Sequence, residues 1–326
     1  MRAKRWLHAL FAVLLLSMSF AIAACGDDDD DDGGGGGGDS GAENAAAIET
    51  SPDAEGVEVT IGSKNFTEQK VLGEIYAQGL EAAGFTVDKQ LNLGDEKTAF
   101  KALQGKDIDA YPEYTGTALL SFFNVKASDI PKDPTEAFNQ VKIRMTAEKV
   151  TALDPTPFTS SNEVGLTKEK ADELGVKKIS DLAGKDQDLT LYGSPECRQR
   201  TDCLLGLQQV YDLDFKKFTP VALDLRHEVL DKGQADLSIV FTTDPQIKRN
   251  GYVLLEDDKG MFPPYNSTLL VRDGVKGAAV MDTVAGQVQK GLTDEVMQEL
   301  NARVDLDKKT PEAVAGEYLK ESGLVN

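Results

Sequence analysis

The chain has 326 residues, and its 35 lysines and arginines stand against 55 aspartates and glutamates, which gives a formal net charge of −20 at pH 7. This balance argues against a nucleic-acid-binding protein, because phosphates need a basic face, and against a site that draws in anions by long-range attraction alone. It suits a secreted protein that captures a neutral, zwitterionic or cationic molecule, although solubility alone would explain the charge equally well.

Residues 1–24 have the pattern of a secretory signal: three basic residues precede an apolar run that is short and early for a membrane span. The run ends in Ile22-Ala23-Ala24-Cys25, the small-residue pattern of a bacterial lipoprotein cleavage site. Cys25 is therefore predicted to become the first mature residue and to carry a lipid that anchors the protein on the extracytoplasmic face of the membrane. The alternative is an uncleaved anchor helix with an incidental cysteine.

Residues 25–56 are predicted to form a disordered tether. Six aspartates (Asp27–Asp32) and then six glycines (Gly33–Gly38) follow the cysteine, and the segment has too few bulky apolar residues to bury a core. Glycine makes such a segment flexible, and like charges extend it. The glycine run also matches GxGxxG, but it follows no strand and opens no helix, so it is not a nucleotide-binding fingerprint.

Strands and helices are predicted to alternate from Val57 onward. The apolar pattern indicates a strand at Val57–Ile61, a helix capped by Thr67, a strand at Phe85–Leu93 and a helix at Lys97–Leu103. Such alternation predicts an α/β fold with a largely parallel sheet and helices on its faces.

The stretch Asp109-Ala-Tyr-Pro-Glu-Tyr-Thr-Gly-Thr117 completes this series and is the first candidate for a ligand-binding wall. Two tyrosines, an acid and two threonines crowd the carboxyl end of a buried strand, and a glycine lets the backbone bend or approach a ligand closely. In open α/β sheets, ligands bind outside the carboxyl ends of strands. An apolar helix, Ala118–Phe123, is predicted to follow.

A second series follows an extended crossover at Leu153–Phe158, where two prolines disfavour helix. Its predicted elements are a strand at Val164–Thr167, a helix at Lys168–Leu174, a strand at Asp188–Tyr192, a helix at Cys203–Tyr211 and a strand at Ala235–Phe241. A second crossover is predicted at Leu254–Pro264, and the tail, Ala278–Gly323, has helical spacing of apolar residues.

The two series contain a faint internal repeat. Asp109 leads into a strand and is followed five residues later by Tyr114, and Asp236 leads into a strand with Phe241 five residues beyond it. Threonine follows the aromatic residue in each case. Two similar lobes that face each other with matching aromatic walls would explain this pattern, and a common helix–turn–strand arrangement would explain it equally well.

The cysteines after Cys25 are Cys197 and Cys203, six residues apart in a protein predicted to be exported. A short-loop disulfide is the favoured interpretation, with a metal pair or a redox pair as alternatives. The spacing is not CxxC, and His227, the histidine after the predicted signal, offers little ligand support. It lies in a polar run and is predicted to be a solvated surface side chain.

The sequence carries no pattern typical of an enzyme. It has no GxSxG elbow, no HExxH and no GxxxxGK[ST] loop, and a histidine-dependent mechanism would depend on His227 alone. No catalytic residue, cofactor or metal is therefore predicted.

Aromatic residues near cations in loops point instead to binding. Lys64 follows the first strand, Arg200 lies between the two cysteines, and Tyr114, Phe241 and Tyr265 lie at strand ends or in a proline-rich turn. Aromatic faces attract quaternary ammonium groups, and Arg and Lys bind carboxylates. Together they would suit a small zwitterion, although core packing accounts for each aromatic residue taken alone.

Four motifs, in order, resemble the glycine betaine/choline substrate-binding proteins of osmoprotectant ABC importers: Gly62-Ser-Lys-Asn-Phe-Thr-Glu-Gln69, Tyr111-Pro-Glu-Tyr-Thr-Gly-Thr117, Phe241-Thr-Thr-Asp244 and Asp257-Asp-Lys-Gly-Met-Phe-Pro-Pro-Tyr265. The resemblance runs from about Val57 to the C-terminus. It implies the two-lobed, type II periplasmic-binding-protein fold, with the ligand in the cleft between lobes. Residues 57–155 would form the first part of lobe 1, residues 156–256 lobe 2, and residues 257–326 the return to lobe 1.

The resemblance also implies roles for individual residues. Lys64, Thr117 and Arg200 would hold a ligand carboxylate, Asn162 would be a polar group near the pocket, and the aromatic walls around the ammonium methyls would be Tyr114, Phe241 and Tyr265. Val164 lies near a position where members often have another aromatic residue, and Phe241 is often tyrosine, which leaves open a thinner cage, a larger ligand or a different osmolyte. The implied partners are an ABC permease and its ATPase, with no nucleic acid.

Overall fold

The computed structural model describes residues 46–326, where strands and helices alternate along the chain. The strands are β1 (Glu58–Ser63), β2 (Thr86–Leu91), β3 (Ala110–Tyr114), β4 (Val150–Ala152), β5 (Asn162–Leu166), β6 (Thr190–Gly193), β7 (Lys217–Pro220), β8 (Leu237–Phe241), β9 (Val253–Leu254) and β10 (Ser267–Arg272). The α-helices are α1 (Thr67–Ala82), α2 (Glu96–Gly105), α3 (Thr115–Ser121), α4 (Pro134–Ala147), α5 (Lys168–Leu174), α6 (Leu204–Tyr211), α7 (Glu228–Asp231), α8 (Pro245–Asn250), α9 (Ala278–Gln289), α10 (Asp294–Asp305) and α11 (Pro311–Glu321).

The strands form two five-stranded sheets of the same topology. The first sheet has the order β2-β1-β3-β10-β4, and the second has the order β7-β6-β8-β5-β9. In each, three parallel strands are followed by one antiparallel strand, β10 in the first sheet and β5 in the second. We call the first sheet with its helices the first lobe and the second sheet with its helices the second lobe. β3 and β8 are therefore equivalent central strands.

The internal repeat seen in the sequence is part of this shared topology. The Asp109 side chain accepts a hydrogen bond of 2.7 Å from the backbone N–H of Thr60 in β1, and Asp236 accepts one of 2.8 Å from the N–H of Thr190 in β6. In each lobe an aspartate just before the central strand thus satisfies a backbone donor of the neighbouring parallel strand. The central strands then end in Tyr114 and Phe241, whose side chains come to face the same space.

The C-terminal segment completes the first lobe. β10 lies antiparallel between β3 and β4, and α1 packs against α9, α10 and α11. The apolar faces of α1 and α9 meet closely, since a Cβ added at Gly79 would lie 2.8 Å from a methyl group of Val288. The apolar run of β10, between Pro264 and Gly274, escaped the sequence analysis, which assigned no element there.

Two local expectations differ from the structure. The predicted tether is too long, because Ala54 is fully buried and the backbone N–H of Ile48 donates to the carbonyl of Leu324 at 2.9 Å. The N-cap of α1 is Phe66, not Thr67. The Thr67 hydroxyl instead donates a 2.6 Å hydrogen bond to Asp305, which ties α1 to α10. The signal, Cys25 and the first twenty tether residues lie outside the described residues.

In residues 46–326, none of the helices has both the length and the apolar character needed to cross a membrane.

Candidate ligand-binding site

A cavity of about 490 Å³ lies where the central strands of the two sheets end. Tyr114 at the end of β3 and Phe241 at the end of β8 both contribute to its wall. Every residue predicted to bind a ligand lines this cavity: Lys64, Tyr114, Thr117, Asn162, Arg200, Phe241 and Tyr265. Val164 is fully buried in the second sheet and does not line the cavity.

Three aromatic rings meet on one side of the cavity. The ring of Phe66 lies between those of Tyr114 and Phe241, with centroid distances of 6.3 Å and 5.6 Å. Phe66 brings the two lobes into aromatic contact, and the sequence analysis did not single it out. The available signal was its position within the motif Gly62–Gln69, at the junction of β1 and α1.

Each of these rings already has a cation of the protein over one face, and Lys64 also lies 5.8 Å from the Phe66 centroid. The ammonium of Lys64 lies 4.5 Å from the Tyr114 centroid, and the guanidinium carbon of Arg226 lies 4.5 Å from the Phe241 centroid. Arg226 lines the cavity and was not predicted as a site residue. A ligand cation must therefore use the opposite faces or the edges of these three rings.

Lys64 is bound to a buried carboxylate and not to open space. Its ammonium donates to Glu113, which is fully buried and also accepts from the Tyr111 hydroxyl at 3.2 Å and the Tyr114 backbone N–H at 2.7 Å. Glu113 therefore orients Lys64 and Tyr114 from behind the wall, and Tyr111 is fully buried and donates to Glu113 from within the core.

Arg200 is held by two acids from different lobes. Its Nε and Nη2 donate to Asp202, and its Nη1 lies 3.3 Å from Oε1 of Glu96 on α2. Asp202 is fully buried and accepts from the hydroxyl of Tyr265 and from Asn162 at 3.1 Å. Of the five N–H bonds of a guanidinium, three are used in these contacts, which leaves two for a ligand.

The disulfide between Cys197 and Cys203 closes the loop that presents Arg200, with a Cα–Cα distance of 5.1 Å. Of the three alternatives that the sequence left open, a disulfide, a metal pair or a redox pair, the structure shows the disulfide. The loop restricts the backbone on either side of Arg200, so the guanidinium is presented from a short, closed segment.

Tyr265 packs closely against Gly116 in the first lobe. A Cβ added at Gly116 would lie 2.8 Å from Cε1 of Tyr265 and 2.7 Å from the carbonyl oxygen of Pro264. The glycine noted in the sequence therefore makes room for an aromatic wall residue, not for the ligand itself.

His227 is buried, contrary to the prediction of a solvated side chain. It is 6% exposed, its Nε2 lies 2.9 Å from Asp244, and its ring stacks on Tyr252 at 5.6 Å. Asp244 also accepts from both Arg226 and the backbone N–H of Phe241. Although burial raises the pKa of Asp244, Arg226 and His227 outweigh burial and hold it well below the usual aspartate value.

Behind Tyr114 lies a second buried acid, Glu68 on α1. The Tyr114 hydroxyl donates to it at 2.6 Å, and Asn301 on α10 donates at 3.0 Å. Burial raises the pKa of Glu68, and hydrogen bonds from Thr243, Tyr114 and other neighbours oppose this only partly. The ring of Tyr114 is thus fixed at its hydroxyl end as well as at its backbone.

Two α/β lobes of the same topology with a polar, aromatic-walled cavity between them define a two-lobed solute-binding protein of the type II periplasmic-binding-protein fold. The chain belongs to the family described as the substrate binding domain of ABC-type glycine betaine transport system, whose model matches residues 57–321.

Known relatives and solved structures agree with this assignment. The chain is 32% identical over 285 residues to the glycine-betaine-binding protein of Pseudomonas aeruginosa, covering 84% of this chain and 90% of that protein. It is 28% identical over 269 residues to the carnitine transport binding protein OpuCC of Listeria monocytogenes, covering 81% and 86%. A solved glycine betaine/carnitine/choline ABC transporter structure shares the fold, with a TM-score of 0.67 at 24% identity over 82% of this chain and 100% of that chain.

Proposed function

We propose that this protein is the extracytoplasmic binding component of an ABC importer and that it captures a small quaternary-ammonium osmolyte such as glycine betaine or choline. The family assignment supports the importer class. The observation that carries the ligand class is the grouping of Phe66, Tyr114 and Phe241 beside Arg200 in one cavity. Aromatic faces and edges suit a trimethylammonium group, which has no hydrogen-bond donor to satisfy.

The proposed mechanism is capture by closure of the two lobes. Lys64, Tyr114 and Thr117 belong to the first lobe, and Arg200 and Phe241 belong to the second, so a ligand gains its full set of contacts only when both lobes surround it. Because the closed conformation would bind the ligand more tightly than the open one, the ligand would increase the population of the closed conformation. The closed form would then deliver the ligand to a permease whose partner ATPase drives import, and the ligand undergoes no reaction.

The anchor and the domain boundaries complete the proposal. Lipid on Cys25 would hold the protein at the membrane, and residues 25 to about 45 would give it reach. Lobe 1 would comprise residues 57–155 and 257–326, and lobe 2 residues 156–256, a division that the strand content of the two sheets supports.

Titration calorimetry of the purified protein against glycine betaine, choline, carnitine and proline betaine tests the ligand class. We expect saturable binding of at least one of them. Failure to bind any of the four would refute the quaternary-ammonium assignment and favour another small zwitterion, such as an amino acid, for the same importer.

Replacing Phe241 with alanine is expected to weaken binding of the preferred quaternary-ammonium ligand by about 0.5–2 kcal/mol, or roughly 2- to 30-fold, because one cage wall is lost. Phe218→Ala is a matched control. Phe218 also lies in the second lobe under an arginine, with Arg198 4.9 Å from its ring centroid, but it does not line the cavity. Calorimetry that found equal effects for the two variants would contradict the role of Phe241.

A further inference from the structure

Glu96 is an acid of the cavity wall that no predicted role explains. It is the first residue of α2, it is 7% exposed, and its Oε1 accepts a 2.8 Å hydrogen bond from Ser121. The same oxygen lies 3.3 Å from Nη1 of Arg200. Burial raises the pKa of Glu96, but Arg200 and Lys64 lower it more, and the net shift is downward. Glu96 is therefore ionised at neutral pH.

Among the ion pairs of the cavity, Arg200 is the cation that two carboxylates share. Lys64 is matched by Glu113, and Arg226 is matched by Asp244. Arg200, in contrast, faces two carboxylates, since Asp202 already binds it through two parallel hydrogen bonds. The guanidinium that would receive a ligand carboxylate therefore already bears two negative partners, one of which lies in the cavity wall.

This arrangement has opposite consequences for two kinds of ligand. A carboxylate that binds the free N–H bonds of Arg200 must approach Glu96, and like charges at short range in an enclosed cleft repel strongly. A quaternary-ammonium alcohol such as choline brings no carboxylate, and its positive charge is attracted by Glu96. The same acid thus disfavours a zwitterion and favours a net cation.

We propose that Glu96 is a specificity-determining residue that biases the site toward quaternary-ammonium ligands of net positive charge and against those with a carboxylate. This proposal rests on the proposed function, because it concerns the choice among quaternary-ammonium ligands. The measured quantity is the ratio of two dissociation constants, glycine betaine over choline. Any effect of Glu96 on lobe closure acts on both ligands and cancels in this ratio.

The test is calorimetry of the full chain with both ligands. Glu96→Gln, which keeps the shape and removes the charge, is expected to lower the ratio by about tenfold relative to wild type. Glu96→Asp keeps the charge but withdraws it by one methylene, so a smaller decrease of about two- to threefold is expected. This second variant keeps the proposal testable if Glu96→Gln does not fold.

Asp133→Asn is the control. Asp133 also lies at a helix N-terminus in the first lobe, where it caps α4, and it does not line the cavity. Asp133→Asn changes the net charge by the same amount as Glu96→Gln, and its ratio of dissociation constants should equal that of wild type. An unchanged or raised ratio in Glu96→Gln, or an equal decrease in Asp133→Asn, would overturn the assignment. A wild-type protein that bound neither ligand would overturn this assignment, and failure to bind carnitine and proline betaine as well would also overturn the proposed function.

Discussion

Arg200→Ala is expected to weaken binding of a carboxylate-bearing ligand such as glycine betaine or carnitine by at least roughly 30-fold, or about 2 kcal/mol or more. The variant loses the charged partner of the ligand carboxylate. It also leaves Asp202 fully buried without its cation, so an unpaired negative charge remains next to the place of the ligand. Calorimetry with the carboxylated ligand that wild type binds best measures the loss.

Two further variants separate affinity from folding. Arg198→Ala removes a cation from the same disulfide loop, but Arg198 contacts Phe218 outside the cavity, so the affinity should stay within about twofold of wild type. The double variant Arg200→Ala/Asp202→Asn removes the unpaired charge and should regain stability without regaining affinity. Recovery of tight binding in the double variant would show that Arg200 acts through Asp202 and not on the ligand.

Asp244→Ala is expected to destabilise the protein by about 3–5 kcal/mol, because it leaves the buried guanidinium of Arg226 without its carboxylate. The substitution also removes the acceptor of the Phe241 backbone N–H and the partner of His227. Urea denaturation followed by circular dichroism measures the change in the free energy of unfolding. Asp133→Ala, which removes only a helix cap, should cost about 1 kcal/mol, and equal losses in the two variants would argue against the buried cluster.

The difference in unfolding free energy between wild type and Asp244→Ala should depend on pH, because the pKa of Asp244 is lowered in the folded protein. A carboxyl group whose pKa is lower in the folded state contributes stability that is fully present above its unfolded value, about 3.9. That stability is lost as the pH falls through the folded value. The gap between wild type and Asp244→Ala should therefore be constant near neutrality and shrink below about pH 4. A gap that widened in acid would contradict the ionised form of Asp244.

The elements with local signals were predictable from the sequence. The strand that ends at Tyr114 and the strand that ends at Phe241 are each preceded by an aspartate and followed by a threonine, and both are central strands. Five of the seven predicted site residues lie in the four motifs, and all seven line one cavity. Three of the motifs were informative because each contains a strand end together with the side chains at or just after it.

Partners far apart in the sequence were not predictable. Lys64 is matched by Glu113, 49 residues away, and Arg200 is approached by Glu96, 104 residues away. With 55 acids in the chain, composition does not indicate which carboxylate meets which cation. The run containing Arg226 and His227 is polar in sequence, and it is buried only because Asp244, 17 and 18 residues further on, neutralises it.

The position of β10 has a consequence for how the molecule is assembled. The second sheet is built from one continuous part of the chain, residues 162–254. The first sheet is complete only after residues 267–272 insert between β3 and β4. Pairing across such a sequence separation closes a long loop and forms late. The second lobe can therefore mature while the first is still incomplete. The proposed capture of a solute needs contacts from both lobes, so it requires that β10, in the last fifth of the chain, has folded into the first sheet.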